Sequence, residues 1–283
     1  MKDLTMYRKC SRIQDCCRHS VLALFLFVGV GLAQVGPMST PTAPSPVQHA
    51  PMKLLGALPG GGVTAENWSG YAVTGSDFTY AHGSWHVPQV DCTATPNTYS
   101  AFWVGIDGYS DTTVEQTGTS SNCDGTTPVY FAWYEFVPND PVQVLLPMTI
   151  SPGDVMGAEV KYINGEFFIS IHDHTTGVTN TATGVVPGAH RTSAEFIAEA
   201  PTDENTGEIL PLADFVRANY GQDYNADKNS CNATDSAENN KPIGDFGSDY
   251  HAITMVSSGG VTEATPTALT PDGSSFRVYW NAE

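Results

Sequence analysis

From about residue 67 onward the chain is a succession of short runs rich in Val, Ile, Tyr, Phe, Trp and Thr, in which apolar and polar residues alternate, separated by Gly, Asn, Asp and Pro. A period of two puts successive side chains on opposite faces of an extended strand, and the intervening residue types are those that close turns. Strands are expected near 68–74, 79–87, 99–107, 113–117, 128–137, 144–150, 154–163, 166–173, 178–186, 192–199, 211–217, 250–257 and 275–281. No long helical period competes with them. So many strands in one domain predict an all-β chain, a β-sandwich of two packed antiparallel sheets of the jelly-roll or concanavalin A-like kind. With 283 residues, 41% of them hydrophobic and 15% charged, the chain can bury a sizeable core.

The N-terminus has a different character. Lys2, Arg8, Lys9, Arg12 and Arg18 precede the apolar run 21-VLALFLFVGVGLA-33, which ends on small residues. This is the layout of a secretory signal peptide over 1–33, and the run is too short to favour a membrane-spanning helix. Residues 34–66, rich in Pro, Gly, Ser and Thr, are expected to form a linker or short propeptide, leaving 67–283 as the β-sandwich domain. Signal removal takes away five of the twelve basic and two of the thirty acidic residues, so the formal charge moves from −18 to −21. Such a surface repels nucleic acid and anionic membranes and suits an acidic extracellular medium. Crowded carboxyls with raised pKa values stabilise the fold below those values, and the benefit is lost as pH rises through them.

Cys10, Cys16 and Cys17 leave with the signal, so Cys92, Cys123 and Cys231 reach an oxidising compartment and allow at most one internal bridge. Cys92 with Cys123 is the expected pair, since both border the strands around Trp103 and Gln116. No CxxC or nearby His pair suggests a structural zinc site, and His172 and His174, which alternate on one strand face, fit an exposed strand end better than a metal site. The Asn-rich stretch 219–242 is expected to be a long surface loop, with 232-NAT-234 as a glycosylation sequon.

Three strands pair an apolar face with one that bears carboxylates. In 192-TSAEFIAEA-200, Ala194, Phe196 and Ala198 share one face while Glu195, Ile197 and Glu199 share the other. In 101-AFWVGIDG-108, Trp103 and Asp107 lie together, and in 130-YFAWYEF-136 so do Trp133 and Glu135. A sandwich can gather these faces into one concave groove, with tryptophans as flat binding surface and carboxylates for chemistry. The plainer alternative makes them the solvated side of the sandwich.

The words 67-NWSGY-71, 85-WHVP-88, 102-FWVGIDG-108, 115-EQTG-118, 132-AWYEFVP-138, 151-SPGD-154 and 194-AEFIAE-199 resemble, in order and spacing, those of the glutamic peptidases, or eqolisins, over about residues 66 to 217. The resemblance implies a β-sandwich and a catalytic Gln–Glu pair: Gln116 from the QTG word, and Glu199, the second glutamate of AEFIAE. Glu195 is implied to be supporting. Trp68, Trp103, Asp107, Trp133 and Glu135 stand at words that line the groove, implying contact with substrate. The same resemblance implies a secreted acid endopeptidase, insensitive to pepstatin, acting on polypeptides as a monomer with neither metal nor other cofactor. A carboxylate such as Glu199 can take a proton from water as it attacks a peptide carbonyl, and the neutral amide of Gln116 can donate to the developing oxyanion.

Two other classes share the architecture. A polysaccharide-cleaving glycoside hydrolase uses two carboxyls flanking the scissile bond, whereas this chain offers Gln116 in the QTG word. A non-catalytic carbohydrate-binding sandwich would keep its ligand after loss of Glu199. Ser110 and Ser120 lack a recognisable His/Asp setting, a GxSxG elbow is absent, and no DTG-type word marks an aspartic-protease pair.

Overall fold

The computed structural model describes residues 47–58 and 61–283. The expected signal over 1–33 and the first part of the expected linker lie outside the described residues. In chain order the strands are β1 (Val47–Gln48), β2 (Leu54–Ala57), β3 (Val63–Ala65), β4 (Trp68–Thr74), β5 (Tyr80–His86), β6 (Ala101–Ile106), β7 (Val114–Asp124), β8 (Thr127–Val137), β9 (Val144–Leu145) and β10 (Val155–Ile163). They continue with β11 (Glu166–Asp173), β12 (Val178–Gly184), β13 (Ser193–Glu199), β14 (Thr202–Asp203), β15 (Arg217–Tyr220), β16 (Asn232–Thr234), β17 (Asn240–Pro242), β18 (Tyr250–Val256), β19 (Thr262–Pro266) and β20 (Phe276–Trp280). A short 3-10 segment, Ile243–Asp249, precedes β18.

The strands form two antiparallel layers. The front layer runs β8–β7–β6–β13–β4–β18. The back layer runs β12–β11–β10–β5, with β15 and β16 also bonded to β5. Through β18–β19–β20–β15 the hydrogen bonding passes from one layer to the other. This is the expected β-sandwich.

The apolar faces of both layers meet in one core. Phe102, Val104, Phe196 and Ala198 of the front layer share it with Trp85, Met156, Val160 and Ile171 of the back layer. Period-two alternation is what delivers these residues to one side and leaves the carboxylates on the other. Buried polar tips find partners across the gap: Trp85 Nε1 donates to Thr119 Oγ1 at 2.9 Å, and the Tyr220 hydroxyl donates to the Ile197 carbonyl at 2.6 Å. Cys92 and Cys123 form the expected disulfide, and Cys231 is free and buried.

Some expectations are revised. The strand expected at 144–150 shrinks to Val144–Leu145, because Pro147 follows and cannot donate to a ladder. The one expected at 211–217 begins only at Arg217: Leu212, Ala213 and Phe215 are buried one by one in irregular chain, and Val216 adopts a positive φ of 56°. The stretch 219–242 is no open loop, since β16 pairs with β5 on one side and β17 on the other. Asn232 is buried within it, which leaves no room for a glycan on the 232-NAT-234 sequon. The described part of 34–66 is paired rather than free: β1 bonds β14, and β2 bonds β3, which lies parallel to β18. The folded domain therefore starts ahead of residue 67.

Candidate active site

The outer face of the front layer carries the predicted side chains, and strand register sets their spacing. Glu135, Gln116, Gly105 and Glu195 form one row across β8, β7, β6 and β13. Trp133, Gly118, Trp103 and Ile197 form the next. Glu199 stands one row further, opposite Ala101 and Trp68. Two glycines make room for an indole. A Cβ on Gly118 would lie 2.6 Å from the Trp103 Cβ, and one on Gly105 would lie 3.0 Å from the Trp103 ring. Trp103 thus lies across the sheet floor, and its Nε1 donates to Glu199 Oε2 at 2.8 Å. Trp68 meets it edge to face, with ring centroids 4.9 Å apart.

This face is neither an open groove nor a solvated surface. Trp68, Trp103, Gln116, Trp133, Glu135 and Glu199 are all fully buried. The cover is the chain's own segment from Val47 to Lys53, and His49 sits at its centre. The His49 N–H donates to Glu135 Oε2 at 2.9 Å, and its carbonyl oxygen accepts from Gln116 Nε2 at 2.6 Å. Its imidazole lies flat on Trp133, centroids 3.6 Å apart and planes 9° from parallel. The ring places Nδ1 2.9 Å from Glu199 Oε2 and Nε2 3.1 Å from Gln143 Oε1.

Five of the seven predicted residues therefore gather around one residue of the covering segment: Gln116, Glu199, Glu135 and Trp133 touch it, and Trp103 anchors Glu199. Trp68 holds the next residue, donating from Nε1 to the Ala50 carbonyl at 3.2 Å. Asp107 is placed differently. Its carboxylate accepts from the backbone N–H groups of Arg191 and Thr192, both at 2.7 Å, and from the Thr113 hydroxyl at 3.3 Å. It ties the end of β6 to the start of β13.

The carboxyls are not electrostatically alike. Burial raises the Glu199 pKa above the usual carboxylate range, against the opposing pull of His49 and the Trp103 N–H. Burial raises Glu135 well above it, the His49 N–H pulling the other way and Glu199 adding to the rise. Glu195 is also raised well above it by burial, with Asp107, Asp111 and Glu115 adding to the effect, and neither of its oxygens has a hydrogen-bond partner. Burial pushes Glu115 up to about 10 and Asp107 to about 6.

Chemically, Gln116 presents an N–H to a carbonyl oxygen, while its own Oε1 is buried without a partner. Glu199 is held through Oε2, and its Oε1 is likewise unpartnered. An amide donor on a peptide carbonyl beside a carboxyl with one free oxygen suits addition of water to that carbonyl. His49 and Gln143 escaped the sequence argument. His49 lies in a Pro-rich stretch, and its main-chain contacts leave no periodic trace. Gln143 lies beside Pro141 in the bend leading to β9.

A model of the peptidase A4 family matches residues 66–264. Scytalidopepsin B of Scytalidium lignicola is 31% identical over 161 residues, covering 54% of this chain and 60% of that protein. Aspergillopepsin-2 of Aspergillus niger is 29% identical over 175 residues, covering 53% and 61%. The match thus spans about three fifths of either relative. In three dimensions, the crystal structure of scytalido-glutamic peptidase with a transition state analog inhibitor superposes with a TM-score of 0.61 at 23% identity, covering 76% of this chain and 98% of that one. That likeness extends to the fold.

Proposed function

The chain belongs to the peptidase A4, or eqolisin, family, and from that premise we propose that it is a secreted acid endopeptidase in which Gln116 and Glu199 direct water onto peptide bonds. What supports this most is the hydrogen bond from Gln116 to a peptide carbonyl, with Glu199 anchored by Trp103 beside the same residue. Glu199 takes a proton from water through its free oxygen as the water attacks the carbonyl carbon. The Gln116 N–H stabilises the oxyanion that forms, an interaction on the order of 10²–10³-fold in rate for one such donor. Collapse of the tetrahedral intermediate breaks the C–N bond, and Glu199 returns the proton to the leaving nitrogen. Water is the nucleophile, so no covalent intermediate forms, and with Glu199 as the base and Gln116 as the oxyanion donor the route calls on no metal.

Glu135 and Trp133 hold the substrate residue by its N–H and its side chain, and Trp68 holds the residue after it. The remaining polar face carries buried carboxyls that are neutral in acid, which matches an enzyme working where they stay protonated. The strongly negative mature chain fits polypeptide substrates in an acidic extracellular medium, without nucleic acid or membrane partners, and action as a monomer.

Digestion of an unfolded protein at roughly pH 3–4, where an ordinary Glu is partly ionised, tests the proposal. Hydrolysis is expected there and should persist with pepstatin, a chelator, and serine- or cysteine-directed reagents. A peak of activity near neutrality, or its loss on chelation, would place the chain in another class.

A further inference from the structure

Residues 221–231, between β15 and β16, cross the outer face of the back layer as a strap. Ser84 binds it from the middle of β5: its carbonyl accepts from Gly221 N at 2.9 Å, and its hydroxyl accepts from Asn225 Nδ2 at 3.0 Å and pairs with that of Ser230. Imidazoles hold the strap on either side. His82 of β5 faces it with both ring nitrogens, Nδ1 3.2 Å from the Asn229 carbonyl oxygen and Nε2 2.8 Å from Asp227 Oδ2. His86, on the same face of β5, has Nε2 2.9 Å from the Tyr224 carbonyl oxygen and Nδ1 3.4 Å from that of Gly153. His174, just past β11, brings Nε2 to 3.5 Å from the same Asp227 oxygen. A dent in the sheet admits the carboxylate: a Cβ on Gly157 of β10 would collide with Asp227 Oδ2 and lie 2.7 Å from His174 Nε2.

The acceptors around His82 and His86 are three carbonyls and a carboxylate, none of which can donate. A neutral imidazole donates from one nitrogen and turns a lone pair towards the other oxygen, whereas imidazolium donates from both. His82 and His86 are therefore satisfied in full only as cations. Burial disfavours the Asp227 anion, but hydrogen bonds and charge from His82 and His174 outweigh it and hold its pKa below the usual range. The other charges nearby are engaged elsewhere. Lys161 of β10 and Tyr80 of β5 both bind Glu159 of β10, at 2.7 and 3.1 Å, and His172 Nδ1 of β11 lies 2.6 Å from Thr179 Oγ1. In the turn beside His86, Asp154 Oδ2 accepts from Ser151 N at 2.7 Å, and the Arg277 guanidinium of β20 lies over the Tyr224 ring. On the strap itself Asp223 and Lys228 are exposed, and the Cys231 thiol is buried.

We propose that residues 221–231 form an acid-set strap, latched to the back layer by His82, His86 and His174 as imidazolium and released, with the front layer still folded, as these rings lose their protons. Histidine ordinarily titrates between about pH 5 and 8. The cationic rings stabilise the closed strap below that range, and their contribution is lost as pH rises through it. Deprotonation turns a lone pair of His82 or His86 onto an oxygen and leaves Asp227 without its counter-charges in the dent over Gly157. The latch stands on the layer opposite Glu199 and is independent of the peptidase chemistry. It makes closure of the back layer a property of the acidic medium.

The test is amide hydrogen exchange of the full chain from about pH 5 to about pH 8, each rate corrected for the intrinsic effect of pH, comparing peptides over 221–231 with peptides over β13. Protection of the strap should fall by at least ~10-fold across that range, the scale of one charge-assisted hydrogen bond, while β13 keeps its own. The double variant His82→Gln with His86→Gln should remove this pH dependence, because an amide neither gains nor loses a proton there. Asp227→Asn should bring the strap's protection in acid down to about its level in the parent at the upper pH. The parent series decides the matter even where a variant fails to fold. Strap protection unchanged across the range overturns the proposal, as does protection that survives at the upper pH until a chelator is added, which would make a metal ion the fastener. A strap that loosens in step with β13 overturns it too, since the whole domain would then be opening.

Discussion

The two ends of β13 carry the same residue on the same face at the same full burial, yet in opposite surroundings. Around Glu195 stand other acids, Asp107, Asp111 and Glu115, and neither of its oxygens finds a donor. Around Glu199 stand donors, the Trp103 indole N–H and the His49 ring, both on Oε2. Burial raises both pKa values; at Glu199 the His49 ring and the Trp103 N–H pull the other way, whereas at Glu195 the Ser193 side chain alone does so and three acids add to the rise. The difference teaches that position on a strand face does not make a carboxyl a base. What suits Glu199 to the proposed role of base is a set of donors that stabilise its ionised form, and they come from β6 and from a segment more than a hundred residues away in the chain.

The most damaging change short of Glu199 itself should be Gln116→Ala, which removes the proposed oxyanion donor and should lower turnover on the order of 10²–10³-fold with the fold retained. Combined with Glu199→Gln it should be little worse than the worse single variant, because both groups act on one carbonyl. Kinetics on unfolded protein substrate would show additive losses if the two acted separately. Trp103→Phe keeps an aromatic ring over Gly105 but deletes the donor to Glu199. A loss of about 10-fold is expected, together with a shift of the acid limb of the pH–rate profile to higher pH, since the ionised form loses support. An unshifted limb would mean that the indole does not tune Glu199.

The Glu195 end is probed by stability. Asp107 at about 6, Glu115 at about 10 and the raised Glu195 all have folded-state pKa values above their unfolded ones. Their contribution is therefore complete below the ordinary carboxylate range and is lost as pH rises through the folded values. The melting temperature should be higher at pH 4 than at pH 8 by roughly 10 °C, corresponding to a few kcal/mol in a domain of this size. Glu195→Gln should flatten that dependence. A melting temperature that rises towards neutral pH would contradict the carboxyl cluster.

Much of the fold is legible in the chain because period-two alternation and turn residues act locally. Trp68–Thr74 and Glu166–Asp173 coincide with their expected spans, and the core residues of β6 and β13 are those that alternation selects. The face holding Glu199, Trp133 and Glu135 is legible for the same reason, while Gln116 is reached only through the resemblance of its QTG word. What covers it is not. The contacts of Val47–Lys53 are mostly main-chain bonds, which any sequence can make, so a Pro-rich composition conceals them. Asn232 misleads for a related reason: its stretch is polar like a loop, yet β5 and β17 satisfy its backbone and bury it. Asp107 shares a strand face with Trp103 in the alternation, but the turn after β6 carries it to the backbone of Arg191 and Thr192.

The contrast between the ends of β13 is tested most directly by measuring kcat/KM on one unfolded protein substrate for Glu199→Gln and Glu195→Gln side by side, each verified as folded by circular dichroism and melting. Glu199→Gln keeps the side-chain shape and removes the proposed base, and should fall by at least ~10²-fold. Glu195→Gln should stay within about 3-fold of the parent enzyme, the residual allowed for a residue that touches no reacting atom. Near-parental activity in folded Glu199→Gln, or an equal collapse of both variants, would contradict the assignment of the base to the end of the strand where the donors are.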